Sequence, residues 1–194
     1  MKSRIIAVAI LATAFHSFAV ANETYRFDQA RSTIGFSVHQ FLGTTHGKFK
    51  KFDGRIEIDR EHPENSAVTA RIDVRSIDTE TVKRDNHLRS AEFFNVDKYP
   101  ELTFKSRSVK QSGSQFGDIV GDLTMHGVAK EITLPVTHLG AGKDPWGRDK
   151  IGFETEIALN RKDFGLAWNT ALEAGGFLIG DEVKVSVTIQ GVGQ

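Results

Sequence analysis

The sequence predicts an all-β fold: an extended antiparallel up-and-down β-barrel of about eight strands, with one short helix. Three observations carry this. Apolar and polar residues alternate with period two over long runs, the pattern of strands with one buried and one wet face. Only residues 79–90 read as helix, too little to cover six or more one-faced strands, so the sheet must close on itself or pack against another sheet. The runs reach about ten residues, longer than the ~5–6 of a typical strand, which favours a closed barrel whose interior fills with side chains or holds a ligand.

Taken in order, the elements begin after a leader. Lys2 and Arg4 precede the apolar run "IIAVAILATAF", well short of the ~20 residues of a membrane span, and Ala19-Val20-Ala21 is a small-x-small cleavage site. Residues 1–21 therefore read as a signal peptide, with no Cys behind the apolar run to carry a lipid, and the mature chain begins at Asn22. Ile34, Phe36 and Val38 share one strand face, and "HPEN" at 62–65 marks a turn. In "VTARIDVRSI", Val68, Ala70, Ile72 and Val74 oppose Thr69, Arg71, Asp73 and Arg75.

The helix at 79–90 has Asp78 as its expected N-cap and Asp85–Arg89 as an i,i+4 pair contributing only about 0.2–0.5 kcal/mol. Val82 and Leu88 align poorly as an apolar stripe, and Phe93 and Phe94 close the stretch with two large rings. After the "SGSQFG" turn at 112–117 come Ile119, Leu123 and Met125, then Ile132, Leu134 and Val136. "GAGKDPWG" at 140–147 separates these from Ile151, Phe153, Ile157 and Leu159. Gly175 and Gly176 supply backbone freedom in a loop before Val183, Val185, Val187 and Ile189, which oppose Lys184, Ser186 and Thr188. No repeat, low-complexity tract or linker divides residues 22–194, so they read as a single domain.

Composition excludes several function classes. Removing the leader takes Lys2 and Arg4 and no acids, leaving 173 residues with 23 basic and 25 acidic side chains. That near-balance argues against a nucleic-acid partner. With no cysteine, the chain has no disulfide, thiol nucleophile or thiolate metal site. An exported chain of this kind must rely on its own core, for which its length is sufficient, and the periplasm suits it better than the open medium. An outer-membrane barrel would show the same alternation with its apolar face outward; two Trp, two Tyr and a polar "GVGQ" end give it no aromatic girdles.

Conspicuous chemistry is scarce. His39, His46, His62, His87, His126 and His138 form no compact metal-ligand spacing. No G-x-S-x-G, P-loop or G-x-G-x-x-G occurs, and most carboxylates sit on polar strand faces, as Glu57 does between Ile56 and Ile58. No catalytic residue, metal or cofactor is predicted. The exception to the alternation is "KRDNHLRSAEFF" (83–94), with two readings. It is a plug-like connection covering one barrel end, or it places Arg84, His87 or Arg89 beside the head of a ligand.

Five stretches together resemble the YceI-like family of exported, lipocalin-like proteins. They are "HGKFKKFDGRIEID" (46–59), "RDNHLRSAEFFNVDKYPELTF" (84–104), "GDLTMHGVAKEITL" (121–134), "DPWGRDKIGFE" (144–154) and "NRKDFGL" (160–166), and they span most of the mature chain. The resemblance implies an elongated apolar barrel cavity that binds an isoprenoid lipid, of polyprenyl or quinone type, or another long-chain amphiphile such as a fatty-acid amide. It further implies a role in lipid or quinone handling, including under acid or other stress.

Burial of about 0.8 kcal/mol per CH₂ gives on the order of 3 kcal/mol per prenyl unit, less the cost of ordering the ligand, so such binding needs few polar contacts. The expected lining is Phe36, Val38, Ile56, Ile72, Val74, Phe94, Phe104, Leu123, Met125, Phe153, Ile157 and Val185. The excess of Phe over Tyr and Trp fits a dry tunnel and a filled core alike.

Three functions follow from these residues. The first is a periplasmic carrier or store for the lipid. The second is an enzyme at the barrel mouth with His87 or His126 as base. The third is a rim-mediated interaction module for a membrane redox protein. The expected chain does not span a membrane, contacts one transiently, and leaves a homodimer open. N-terminal sequencing of the exported protein is expected to begin at Asn22; a chain still carrying Lys2 and Arg4 would refute the leader.

Overall fold

The computed structural model describes residues 22–171 and 178–194; the predicted leader and the Gly175–Gly176 pair lie outside the described residues. The elements are β1 (Glu23–Phe27), β2 (Thr33–Gln40), β3 (Gly43–Phe49), β4 (Phe52–Ile58), β5 (Ala67–Asp73), β6 (Ile77–Asp78), α1 (Val82–Arg89), β7 (Glu101–Gln111), β8 (Phe116–Met125), β9 (Val128–Lys143), β10 (Asp149–Asn160) and β11 (Ile179–Gly193).

These segments make eight staves. β1 and β2 both pair with β11, β1 at Gly191–Gly193 and β2 along Ile179–Thr188, so they are one stave interrupted by the turn at Gln29–Arg31. β4 lies on β1 and β3 on β2, forming a second interrupted stave. β5 on β4 and β6 on β3 form a third. β7 to β11 follow in sequence order, and the β1–β11 pairing closes the ring. The result is the predicted eight-stranded antiparallel up-and-down barrel, with one α-helix among the described residues.

The two ends of the barrel differ. One carries the β2–β3 hairpin tip, the connection through α1, the tight turn at His126–Gly127 and the segment following β10. His126 (φ 51) and Gly127 (φ 77) are both left-handed, the turn geometry that matches the twist of paired strands. The other end carries the short connections at 59–66, 112–115 and 144–148.

The helix is shorter than predicted and its cap is different. Thr81 occupies the cap position without a capping bond, its hydroxyl accepting from Arg84 instead, while the Asp78 carboxylate accepts from the Glu80 amide and pairs with Lys50 at 2.7 Å. The Lys50 ammonium, and then the Glu80 amide, hold the Asp78 carboxyl below its usual range. Asp85 does not pair with Arg89. It is buried and accepts from both the amide and hydroxyl of Thr79, at 2.9 and 2.6 Å. Arg89 instead donates to the carbonyls of Arg75 and Ile77. The insert is thus stitched to the last residues of the β5–β6 stave by backbone contacts that a surface ion pair does not supply.

A second correction concerns Val74. The alternating run breaks there into a 3-10 turn, Val74–Ser76, because the Asp73 carboxylate accepts from the Arg75 amide. Val74 turns into the core at 1% exposure, and with Ile77 and Phe164 it is among the most deeply buried side chains.

Arg161 ties the far side of the helix end. Buried at the start of the segment after β10, it donates to the carbonyls of Leu166, Trp168 and Gly180 and pairs with Asp181 at 3.1 Å. Burial lowers its pKa, opposed by the Asp181 charge, yet a guanidinium stays protonated. Arg161→Ala would leave three carbonyls without their donor and is expected to cost about 3 kcal/mol in urea unfolding. A change under about 0.5 kcal/mol, the range of ordinary surface substitutions, would refute this role.

Candidate functional site

A lumen of about 1230 Å³ runs through the barrel, from Leu166 and Trp168 at the helix end to Pro63 and Phe116 at the other. Strands of about ten residues, rising ~3.3 Å each and tilted ~40°, make a wall roughly 25 Å tall. The volume exceeds the ~300–1,000 Å³ usual for compact small-molecule sites, and its shape suits a long chain.

Cross-strand register builds the wall. At one level Ile157 faces Val185, Val185 faces Phe36, and Phe36 faces Gly47. On β2, β10 and β11 the inward residues Phe36, Val38, Phe153, Ile157 and Val185 are only half-buried, because they border the lumen rather than opposing side chains. On the other side, Ile56, Phe104, Leu123 and Met125 pack into the core while still lining the lumen.

Glycines keep the aromatic rings against the wall. A Cβ on Gly47 would meet the Phe36 ring at 2.3 Å, one on Gly54 the Phe27 ring at 2.3 Å, and one on Gly121 the Phe104 ring at 2.6 Å. Each ring therefore lies over the bare backbone of a neighbouring stave, where a side chain would otherwise stand. This is aromatic cover of strand glycines. The inward Phe residues consequently do not fill the barrel centre, which distinguishes a tunnel from a filled core.

Aromatic side chains close the helix end. The His87 ring meets Trp168 at 4.7 Å and Phe93 at 5.1 Å, edge to face in both cases. Phe94 reaches Phe49 at 6.3 Å, and Phe49 reaches Phe36 at 5.8 Å, so the insert joins the wall without a break.

Of the twelve residues predicted to line a cavity, all but Val74 border this lumen. Val74 fails because the turn that contains it rotates the side chain out of the strand's phase. Arg84 and His87 reach the lumen and Arg89 does not. The polar groups of all three are engaged within the fold. Arg84 donates to the carbonyl and hydroxyl of Thr79, at 2.8 Å each, and His87 Nε2 lies 2.6 Å from the Glu92 carboxylate.

The other suggested base, His126, is not in the lumen. Its Nδ1 lies 3.2 Å from the Phe164 carbonyl and its ring packs on Tyr99. Among the described residues no group of three or more His, Asp or Glu is gathered for a metal.

Sequence reasoning missed Phe27, Phe49, Trp168, Arg161, His138 and Thr155, all of which border the lumen. Trp168 and Arg161 come from irregular backbone, where no period assigns a face. Thr155 carried a signal: it lies between Phe153 and Ile157 on their inward phase.

A family profile described as the YceI-like domain matches residues 25–191. Curated relatives named Protein YceI from Salmonella arizonae and Salmonella newport are 35% and 34% identical, each over 100% of both chains. The solved YCEI protein of Campylobacter jejuni superposes with a TM-score of 0.71 at 25% identity, covering 100% of this chain and 99% of its own. BcnA of Burkholderia cenocepacia gives 0.75 at 24% identity over 84% and 98% of the two chains. A polyisoprenoid-binding domain from Saccharophagus degradans gives 0.63 at 18%, over 88% and 98%. The last two likenesses establish shared fold alone.

Gly47→Ala tests the wall. The new methyl would push the Phe36 ring into the lumen, so long-chain lipid uptake is expected to fall several-fold, roughly the scale of 1 kcal/mol of overpacking. Circular dichroism would show the barrel intact. Undiminished uptake in a folded variant would refute the packing argument.

Proposed function

From its membership of the YceI-like family, to which this chain belongs, we propose that the protein binds an isoprenoid lipid in the barrel lumen and carries or stores it in the periplasm. The observation that carries the proposal is the lumen itself: long, walled by Phe, Ile, Leu and Val, and kept open by rings folded over glycines. Each prenyl unit withdrawn from water there contributes on the order of 3 kcal/mol before ordering costs. The likeness to a polyisoprenoid-binding domain of Saccharophagus degradans supports the ligand class, and the leader pattern read in residues 1–21 of the sequence supports export.

A carrier must exchange its lipid with a membrane. Phe41, Leu42 and Val82 are exposed at the helix end, Leu42 at 85%, and they flank Gln40, Thr81 and Lys83 of the lumen wall. These side chains are where we place contact with the bilayer surface. Among the described residues no helix is long and apolar enough to cross a membrane.

We propose binding rather than catalysis. His87 is engaged by Glu92 and wedged between aromatic rings, and His126 faces away from the lumen. His126 does not border the lumen, and His87, though it does, stands beside no nucleophile or second acid placed for a reaction among the described residues.

Mass spectrometry of an organic extract, made from protein purified out of its own periplasm, is expected to reveal a polyprenyl-chain lipid near one per barrel. Reproducible absence of any long-chain lipid, together with failure to take up added polyprenyl lipid, would overturn the proposal.

A further inference from the structure

Two polar atoms of the lumen wall have no partner. His138 Nε2 and Thr155 Oγ1 are closed off from solvent, and neither makes a hydrogen bond among the described residues. Both side chains border the lumen. They sit on adjacent staves, with His138 of β9 facing Phe153 of β10 and Val136 facing Thr155. The His138 ring packs on Phe153 with centroids 5.2 Å apart. Buried hydroxyl and imidazole groups are ordinarily satisfied, and stranding one destabilises the fold unless a ligand supplies the missing bond.

Their position is specific. The His138 amide donates to the Gln115 carbonyl in the turn between β7 and β8, which places the pair toward the end away from α1. At the helix end Arg84 is engaged by Thr79, His87 by Glu92 and Arg161 by three carbonyls and Asp181, while Lys83 stands exposed to water at the rim. Among the described residues, buried unmet hydrogen-bonding capacity in the lumen therefore lies at the opposite end from these cations.

Charge narrows the ligand. The charged residues bordering this part of the lumen are Glu57, Asp59, Arg60 and Glu154; Glu57 and Glu154 alternate with inward residues and so lie on the outer phase, Glu57 paired with Arg55, and Arg60 is held by the Glu23 carboxylate. Among the described residues an anionic head would find no unpaired cation here, whereas a neutral head needs none. Both atoms are shielded as they stand, so contact with a lumen-bound head calls for rotation of Thr155 about χ1, which exchanges its hydroxyl and methyl, and of His138 about χ2, which exchanges Nε2 and Cε1.

We infer that His138 and Thr155 form the head-group subsite for an uncharged carbonyl- or hydroxyl-bearing head, with the hydrocarbon chain running toward Trp168. This rests on the isoprenoid reading above and fixes the ligand's direction and head chemistry, reversing the placement of the head beside Arg84, His87 and Arg89.

Equilibrium dialysis tests it with three probes of equal chain length: a benzoquinone carrying three prenyl units, the corresponding prenyl hydrocarbon and the corresponding prenyl diphosphate. The quinone is expected to bind about tenfold tighter than the hydrocarbon and tighter than the diphosphate. In the His138→Phe/Thr155→Val double variant the quinone-to-hydrocarbon ratio is expected to fall to about one. Equal binding of quinone and hydrocarbon, preference for the diphosphate, or a ratio preserved in the folded double variant would each overturn the subsite. Failure of all three probes would instead overturn the isoprenoid reading, and the subsite with it.

A ligand-free readout accompanies this. Thr155→Val preserves shape and removes the unpartnered hydroxyl, so the thermal midpoint of delipidated protein is expected to rise. A midpoint that does not rise would show a hydroxyl already satisfied within the protein, and would likewise overturn the subsite.

Discussion

The structure depends on one constraint: the sheet must close into a ring with an apolar inner face and yet leave that face unfilled. Closure through β1 and β11 joins the eight staves into one ring, leaving β6 and the tip of β3 paired on a single side. It also fixes which side chains share a level, so that Phe36, Val185 and Ile157 converge on one height of the lumen. Ordinarily such convergence fills a small barrel. Here Gly47, Gly54 and Gly121 let the Phe36, Phe27 and Phe104 rings fold back on the wall. The lumen is a product of where glycine is placed opposite phenylalanine as much as of barrel size.

The three interrupted staves follow from the same geometry. Turns at Gln29–Arg31 and Val74–Ser76 redirect the chain without reversing it, so successive segments such as β1 and β2 can pair with different stretches of β11. At the second break the core gains Val74 and Ile77, and the redirected backbone presents the carbonyls of Arg75 and Ile77 to Arg89. The charged insert can cover the barrel end because its charges have such partners. Asp85 is fully buried only because Thr79 satisfies it twice.

Arg161 does the equivalent work across the mouth, where irregular backbone would otherwise leave carbonyls unmet. The aromatic contacts among His87, Phe93 and Trp168 then bring the two halves of the closure together. Polar satisfaction concentrates at this end and is missing at His138 and Thr155. That asymmetry gives the lumen a direction that its apolar lining alone does not.

Period-two alternation, the near-absence of helix and the length of the runs were enough to determine a closed antiparallel barrel, because side-chain phase along a strand is a local property of the backbone. The same phase places Phe36, Ile157, Val185 and seven further strand residues at the lumen, which Phe94 joins from the insert. It failed at Val74, where a single Asp73–Arg75 hydrogen bond turns the strand out of phase. Local spacing also misassigned the cap to Asp78 and paired Asp85 with Arg89, since the competing partners, Lys50 for Asp78 and the carbonyls of the β5–β6 stave for Arg89, come from other parts of the barrel. Whether the barrel is open or filled, which end carries satisfied polar groups, and that Trp168 and Arg161 belong to the mouth were decided only by tertiary structure. Each depends on the register between distant strands, and register sets neighbours that no one stretch of sequence contains.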